Sequence, residues 1–263
     1  MTAAPAIEVD RLYAHYGDKA VLRDVNLRVA PGEVMVIMGG SGSGKSTLLR
    51  HLLGLQRPTS GTVKVLGVDI VDGSRRQMLE MRRKIGVAFQ GGALFSSMTV
   101  GDNILLPLRE HTRLDEATMR IMMRLKLDFV NLPGSEDLMP AELSGGMIKR
   151  AALARAIIMD PKLVFLDEPS AGLDPVVAAG LDELILELKA TGVSLVVVTH
   201  ELESAFRIAD RITVLDKGEI LVSDTVLAVR ASPNARVQAL LTRQVEHATH
   251  NPDEFLRALT RAD

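Results

Sequence analysis

The chain has no cysteine and no tryptophan among its 263 residues, and only two tyrosines. Without cysteine, disulfides and thiolate metal sites are excluded, and the lack fits a reducing compartment. Nor is there an excess of positive charge: 31 Lys and Arg face 33 Asp and Glu, a formal net charge of -2. Composition therefore supplies no basic footprint, and no nucleic-acid partner is expected. No run of about 20 apolar residues occurs, so the chain is not expected to span a bilayer, and attachment to a membrane would need a partner. Residues Met1–Asp10 carry no basic stretch followed by an apolar one, so no secretory signal is expected. What is abundant is apolar bulk, 47% of residues, enough to bury one large core or two joined ones.

Periodicity predicts strands over 7–16, 21–29 and 34–38, a helix over 45–55, and strands over 62–66 and 84–89. Val34–Met38 is wholly apolar, as a parallel strand buried on both faces requires. Residues 100–160 turn mostly helical, with Met119, Met122, Met123, Leu125 and Leu127 on apolar faces as core filler. Strand–helix alternation resumes with a strand over 163–166, a helix over 175–190 and a strand over 194–198. A hairpin follows, 211–215 and 219–223, around Asp216-Lys217-Gly218. After Asp224 a helical tail is expected. Ser232-Pro233 reads as an N-cap with first-turn proline, and Asn251-Pro252-Asp253-Glu254 repeats the pattern. Phe255, Leu256 and Leu259 then form a small apolar face, packing either on its own domain or on a neighbouring subunit.

Gly39-Gly40-Ser41-Gly42-Ser43-Gly44-Lys45-Ser46-Thr47 lies between a predicted strand and a predicted helix, the context a P-loop needs. Gly39, Gly42 and Gly44 carry no side chain, so backbone amides can wrap phosphates, and the helix start adds its positive end. Lys45 is placed to meet the β- and γ-phosphates of ATP, Ser46 to give its hydroxyl to Mg2+, and Thr47 to support the α-phosphate side. Leu163–Leu166 run apolar into Asp167-Glu168. Acids at the end of a buried strand are costly unless a cation or hydrogen bonds compensate, and nucleotide-bound Mg2+ would do so. Gln90 follows another strand; its amide oxygen can ligate Mg2+ or orient water. Leu143-Ser144-Gly145-Gly146-Met147 opens a helix with bare amides, a second anion site in a chain that already has one. A two-fold homodimer, with Ser144, Gly145 and Gly146 capping the γ-phosphate held by the other copy's Lys45, resolves the redundancy.

The order and spacing of these motifs, with His200 after the strand over 194–198, resemble the ATPase subunit of an ABC transporter from Ile7 to about Asp224. The resemblance implies an α/β fold: a P-loop NTPase core with a mainly parallel sheet, an N-terminal antiparallel β-subdomain, a helical subdomain inserted over about 91–160, and a C-terminal helical tail. The expected division is 1–229 for the ATP-binding domain and 230–263 for the extension. It further implies that Asp167 orients the metal through water, Glu168 acts as general base on the attacking water, His200 contacts the γ-phosphate and positions Glu168, and Tyr16 stacks on adenine, Tyr13 being the weaker match. Ser170-Ala171-Gly172-Leu173-Asp174 is similar to the loop joining the two sites of such a dimer; Asp174 also fits an N-cap before Pro175, and the roles are compatible.

The signature ends in Met147 where the commoner family pattern has Gln. With Phe89–Phe95, Pro107–Thr112 and Ala141–Met147, this is most similar to the ATPases of Mla and MCE-type phospholipid transporters. That resemblance implies a peripheral subunit on the cytoplasmic face of the inner membrane, a permease partner meeting residues around 91–98, a periplasmic MCE-domain lipid-binding subunit and a STAS-domain regulator. The rivals are the ATPase of a small-solute importer, a soluble ABC ATPase of repair or translation, and a P-loop kinase. The kinase has no use for Leu143–Met147; the soluble enzymes usually carry long coiled coils or two ATPase domains in one chain, neither of which is seen.

Overall fold

Side-chain alternation along the central strands divides the interior into two cores. In the computed structural model, which describes residues 4–242, β3 (Val34–Met38) sends Met35 and Ile37 to one core and Val34, Val36 and Met38 to the other. β7 (Leu163–Asp167) and β8 (Ser194–Val198) divide likewise: Phe165, Val196 and Val198 face the first, Val164, Leu166 and Val197 the second. Period-2 geometry forces this division once both faces are covered.

The first core lies between two sheets. β1 (Ile7–Tyr16), β2 (Lys19–Val29), β4 (Ser60–Val65) and the short β5 (Val68–Asp69) form an antiparallel sheet ordered β2-β1-β4-β5. Against it, with α1 (Lys45–Leu52) contributing Leu48 and Leu52, packs a second sheet. Its order is β10-β9-β3-β8-β7-β6, where β6 is Ile85–Ala88, β9 Arg211–Asp216 and β10 Glu219–Thr225. All neighbours are parallel except the β9–β10 hairpin. The crossover helices between β6, β7, β8 and β9 cover the other face and build the second core.

The helical region holds α3 (Val100–His111), α4 (Glu116–Phe129) and α5 (Gly145–Ile157). Met119, Met123 and Leu127 are buried from α4 as expected, whereas Leu125 is exposed. α6 (Pro175–Ala190) and β8 have the predicted limits. Three further elements were not expected. They are β5, α2 (Arg75–Arg82) behind a Ser74–Gln77 capping box, and α7 (Leu202–Ile208).

The tail begins with α8 (Val226–Arg230) and α9 (Ala235–Leu241), whose Val229 and Val237 are fully buried in the second core. One cap is corrected. Asn234, not Ser232, opens α9: its side chain accepts from the Arg236 and Val237 amides, and Pro233 precedes the helix. An Asn side chain reaches those amides in the same way, so the helix simply starts two residues later. The predicted turn at Asn251–Glu254 and the face of Phe255, Leu256 and Leu259 lie outside the described residues.

Candidate functional site

Between β3 and α1 the chain makes a glycine-rich turn whose last residue, Gly44, caps the helix at φ 108 with no side-chain hydrogen bond. The first amides of α1 therefore have no internal partner. The Lys45 ammonium curls back and donates to the carbonyls of Gly39 at 2.7 Å and Gly40 at 3.0 Å. Glycine is needed here for more than one reason. A Cβ on Gly39 would stand 2.1 Å from the Leu215 carbonyl oxygen, and one on Gly44 would stand 2.8 Å from the Leu22 side chain. Both are forced by packing of the turn on β9 and β2. Gly42, at φ 74 with open space beside it, is the glycine whose freedom faces outward. Ser43 is buried with its hydroxyl unpartnered, Ser41 and Ser46 are exposed, and Thr47 is buried.

Two strands away β7 delivers the acids. Glu168 sits just past the strand at φ 49, held by its amide donating to the Val198 carbonyl at 2.8 Å. Its Oε1 is 2.9 Å from Nδ1 of His200, while Oε2 is buried with no partner. Burial raises the Asp167 carboxyl above the usual carboxylate range, and the neighbouring Glu168 adds to this. Burial also lowers the Lys45 ammonium, opposed by the fields of Glu168 and Asp167. Gly39, Gly40, Ser41, Lys45, Glu168 and His200 line one cavity of about 680 Å³, closed on its apolar side by Leu240 and Leu241 of α9.

Gln90 is not brought into that cavity; it is exposed, two residues past β6. Its main-chain carbonyl, with that of Glu168 at 2.8 Å, accepts from the Lys149 ammonium of α5. Arg155, further along α5, donates to the carbonyls of Gly92 and Ala93, each at 2.8 Å. Sequence reasoning missed both cations. Their partners are carbonyls, which every residue carries, so no spacing signal was available.

Ser144 and Gly145 are exposed, and neither they nor Gly146 line the Lys45 cavity. Ser144 caps α5 by accepting from the Met147 amide at 3.3 Å. Gly146 is needed for contact with α6, since a Cβ there would meet Val177 Cγ1 at 2.6 Å. Asp174 does cap α6, accepting from the Val176 and Val177 amides. Tyr16 is 45% exposed, so its ring is open to a planar ligand. Its hydroxyl donates to Gln56 at 2.8 Å, and hydrogen bonding with Thr47 and Arg50 of α1 lowers its phenol from the ordinary value.

A strand, a glycine turn capped in the left-handed region, a lysine and two acids at the end of a parallel strand of the same sheet define a P-loop nucleotide-binding protein. The sequence profile described as "ABC transporter" matches residues 22–171. The chain belongs to the ABC transporter family. It is 42% identical over 223 residues to the "Probable ribonucleotide transport ATP-binding protein mkl" of Mycobacterium leprae, covering 84% of this chain and 64% of that protein. The chain thus spans just under two thirds of the mycobacterial relative's length. It is 40% identical over 236 residues to the "Intermembrane phospholipid transport system ATP-binding protein MlaF" of Haemophilus influenzae, covering 89% of both. Among solved structures it is similar to the dimeric ATP-binding cassette MJ0796 in a post-hydrolysis state bound to ADP and Pi. The TM-score is 0.77 at 30% identity, over 84% of this chain and 98% of that one.

Proposed function

We propose that this chain is the ATP-hydrolysing subunit of a transporter that moves phospholipid between the inner and outer membranes, with residues 1–229 as the ATP-binding cassette and 230–263 as an extension. The observation that carries the reading is the single cavity holding Lys45, Glu168 and His200, with an unpartnered buried oxygen on Glu168. Lys45, released from its loop carbonyls, meets the β- and γ-phosphates among the amides of Gly40–Ser46. Tyr16 receives the adenine. Glu168 takes the proton of the attacking water, and His200 holds the carboxylate in place while reaching the γ-phosphate.

Mg2+ fits the residues present. Among the described residues no cluster of three or more His, Cys, Asp or Glu could hold a metal by itself. Mg2+ at such sites needs only a few protein oxygens beside the phosphates. Ser46 and the Gln90 amide would supply them directly, and Asp167 through water; Gln90 must turn inward to do so. The ion supplies neutralisation of phosphate charge.

Exposed Ser144 and Gly145 fit a homodimer in which each copy caps the other's ATP, and the solved MJ0796 cassette is dimeric. No helix among the described residues is long and apolar enough to cross a membrane, so coupling needs a partner permease at the cytoplasmic face of the inner membrane. The surface after Gln90, around 91–98, where Phe95 is exposed, is its contact. A periplasmic MCE-domain subunit and a STAS-domain regulator complete the assembly.

Phospholipid is preferred over ribonucleotide as cargo because the phospholipid-transport relative is matched over nearly its whole length, the mycobacterial one over 64%. The test is a mild-detergent pulldown of tagged chain from native membranes, with mass spectrometry of proteins and lipids and an ATPase assay on the eluate. A permease, an MCE-domain protein, phospholipid and phosphate release are expected. A different permease without lipid sinks the cargo, and a chain recovered only from the soluble fraction sinks transport.

A further inference from the structure

β6 and β7 are adjacent and parallel, with Ala88 opposite Leu166. Gln90 and Glu168 therefore leave the sheet at the same level, two residues beyond that pair. Lys149 sits across this point: it comes from the second turn of α5, is half-buried, and its ammonium donates to both main-chain carbonyls. Nothing in the motif reading uses it.

The two carbonyls are unequal in consequence. Glu168 occupies the left-handed region at φ 49, unusual for a residue with a side chain. Rotating its peptide planes would swing the carboxylate away from His200. On the other side, the Gln90 loop is bound to α5 at a second point, by Arg155 on the Gly92 and Ala93 carbonyls. A Cβ on Gly92 would lie 2.6 Å from Ile148 Cγ2, so loop and helix are also packed closely. A shift of α5, or of the loop beside exposed Phe89 and Phe95, must be felt at Lys149 before it reaches Glu168.

We propose that Lys149 is a positioning residue: its ammonium ties the start of α5 and the Gln90 loop to the main chain of Glu168, so that movement of the loop by a bound partner sets the direction of the catalytic carboxylate. This rests on the ATPase reading above. Lys149 performs no proton transfer; it acts through the carbonyl oxygens of two loops. Burial lowers its ammonium from the ordinary lysine value, opposed by the fields of Glu168 and Asp167.

The test uses the full-length chain with Lys149→Met, which keeps the aliphatic stem, and Lys149→Arg, which keeps the charge. Expected for Lys149→Met is a kcat lower by about tenfold or more, an ATP KM and Kd within about twofold of wild type, and an unchanged melting temperature. Lys149→Arg restores most of kcat. A structural reading is taken in parallel by hydrogen exchange, in which the amides of 90–93 and 168–171 exchange faster in Lys149→Met while those of α5 do not. Wild-type kcat with wild-type exchange in Lys149→Met overturns the proposal. So does a loss confined to ATP affinity, or a loss that arginine does not repair. If the wild-type chain shows no ATPase activity even with its membrane partners, the enzymatic reading fails instead, and exchange alone decides whether Lys149 holds the two loops.

Discussion

Two helices of the described residues start at the glycine motifs, α1 and α5, and the two starts differ in what surrounds them. α1 is capped by Gly44 with no side-chain bond, beside a lysine and within the cavity that Glu168 and His200 also line. α5 is capped by its own Ser144, lies exposed at Ser144 and Gly145, and shares no cavity with Lys45. Both offer the positive end of a helix. The first shares its cavity with Lys45, Glu168 and His200. The second has its amides and the Ser144 hydroxyl, and the ammonium of Lys149 one turn on is engaged by the Gln90 and Glu168 carbonyls. A cavity that gathers lysine, acid and histidine, and an exposed helix start that lies outside it, are the two halves the proposed dimer would bring together.

The largest expected effect breaks the first half alone. Glu168→Gln removes the base and keeps the shape, so phosphate release falls by about two to four orders of magnitude while ATP binding persists. Sedimentation of this variant with ATP should show a trapped dimer; near-wild-type turnover would remove Glu168 as the base. Ser144→Arg breaks the second half. Nucleotide affinity of the isolated chain should stay within about twofold while hydrolysis drops by about two orders of magnitude, the scale for losing an anion-stabilising donor. Mixing the two inactive variants sharpens the comparison. A mixed dimer contains one site with wild-type Glu168 facing wild-type Ser144, so activity should partly return. No return on mixing, despite mixed dimers being present, would place Ser144 in service of its own copy.

How far the sequence revealed this is uneven, for physical reasons. β3, α6 and β8 were legible to the residue because each is a continuous apolar run or a long periodic helix with a clear cap. α2 was not, since it buries only Met81; its Ser74–Gln77 capping box was the signal to read. The start of α9 was set two residues early because Ser232 and Asn234 are both competent caps and only packing chooses between them. Lys45 was named from its motif, Glu168 and His200 from the family resemblance, and the fold brings the three together. Gln90 was named too, yet its side chain lies outside the cavity, and what the structure engages is its carbonyl. Residue type announces side-chain chemistry; it does not announce which carbonyl a distant lysine will find.

The glycines of the first half separate packing from ligand binding by a smaller margin. Gly39→Ala forces a Cβ against the Leu215 carbonyl, main chain that cannot swing aside, and should cost about 2–4 kcal/mol of stability. Thermal melting reads this as a drop of about 5–15 °C for a chain of this size. Gly42→Ala meets nothing within 4 Å and pays only for its φ of 74, about 1–2 kcal/mol. Equal melting temperatures for the two variants would refute the account that Gly39 serves the β9 contact.

Tyr16 carries the smallest effect and tests whether the first half reads the base as well as the phosphates. Tyr16 is exposed enough for a ring to stack on it and is linked through Thr47 and Arg50 to α1. A base stacked on an aromatic side chain is worth about 1–3 kcal/mol, so Tyr16→Ala should weaken ATP binding by about tenfold. Tyr16→Phe keeps the ring and loses only the surface hydrogen bonding of the hydroxyl, with Gln56, Thr47 and Arg50, so it should stay within about twofold. Calorimetry with ATP and with inorganic tripolyphosphate separates the causes. If stacking is the cause, Tyr16→Ala loses affinity for ATP and keeps it for tripolyphosphate. Equal loss for both would mean that Tyr16 only props up α1, and the base would have to be held elsewhere.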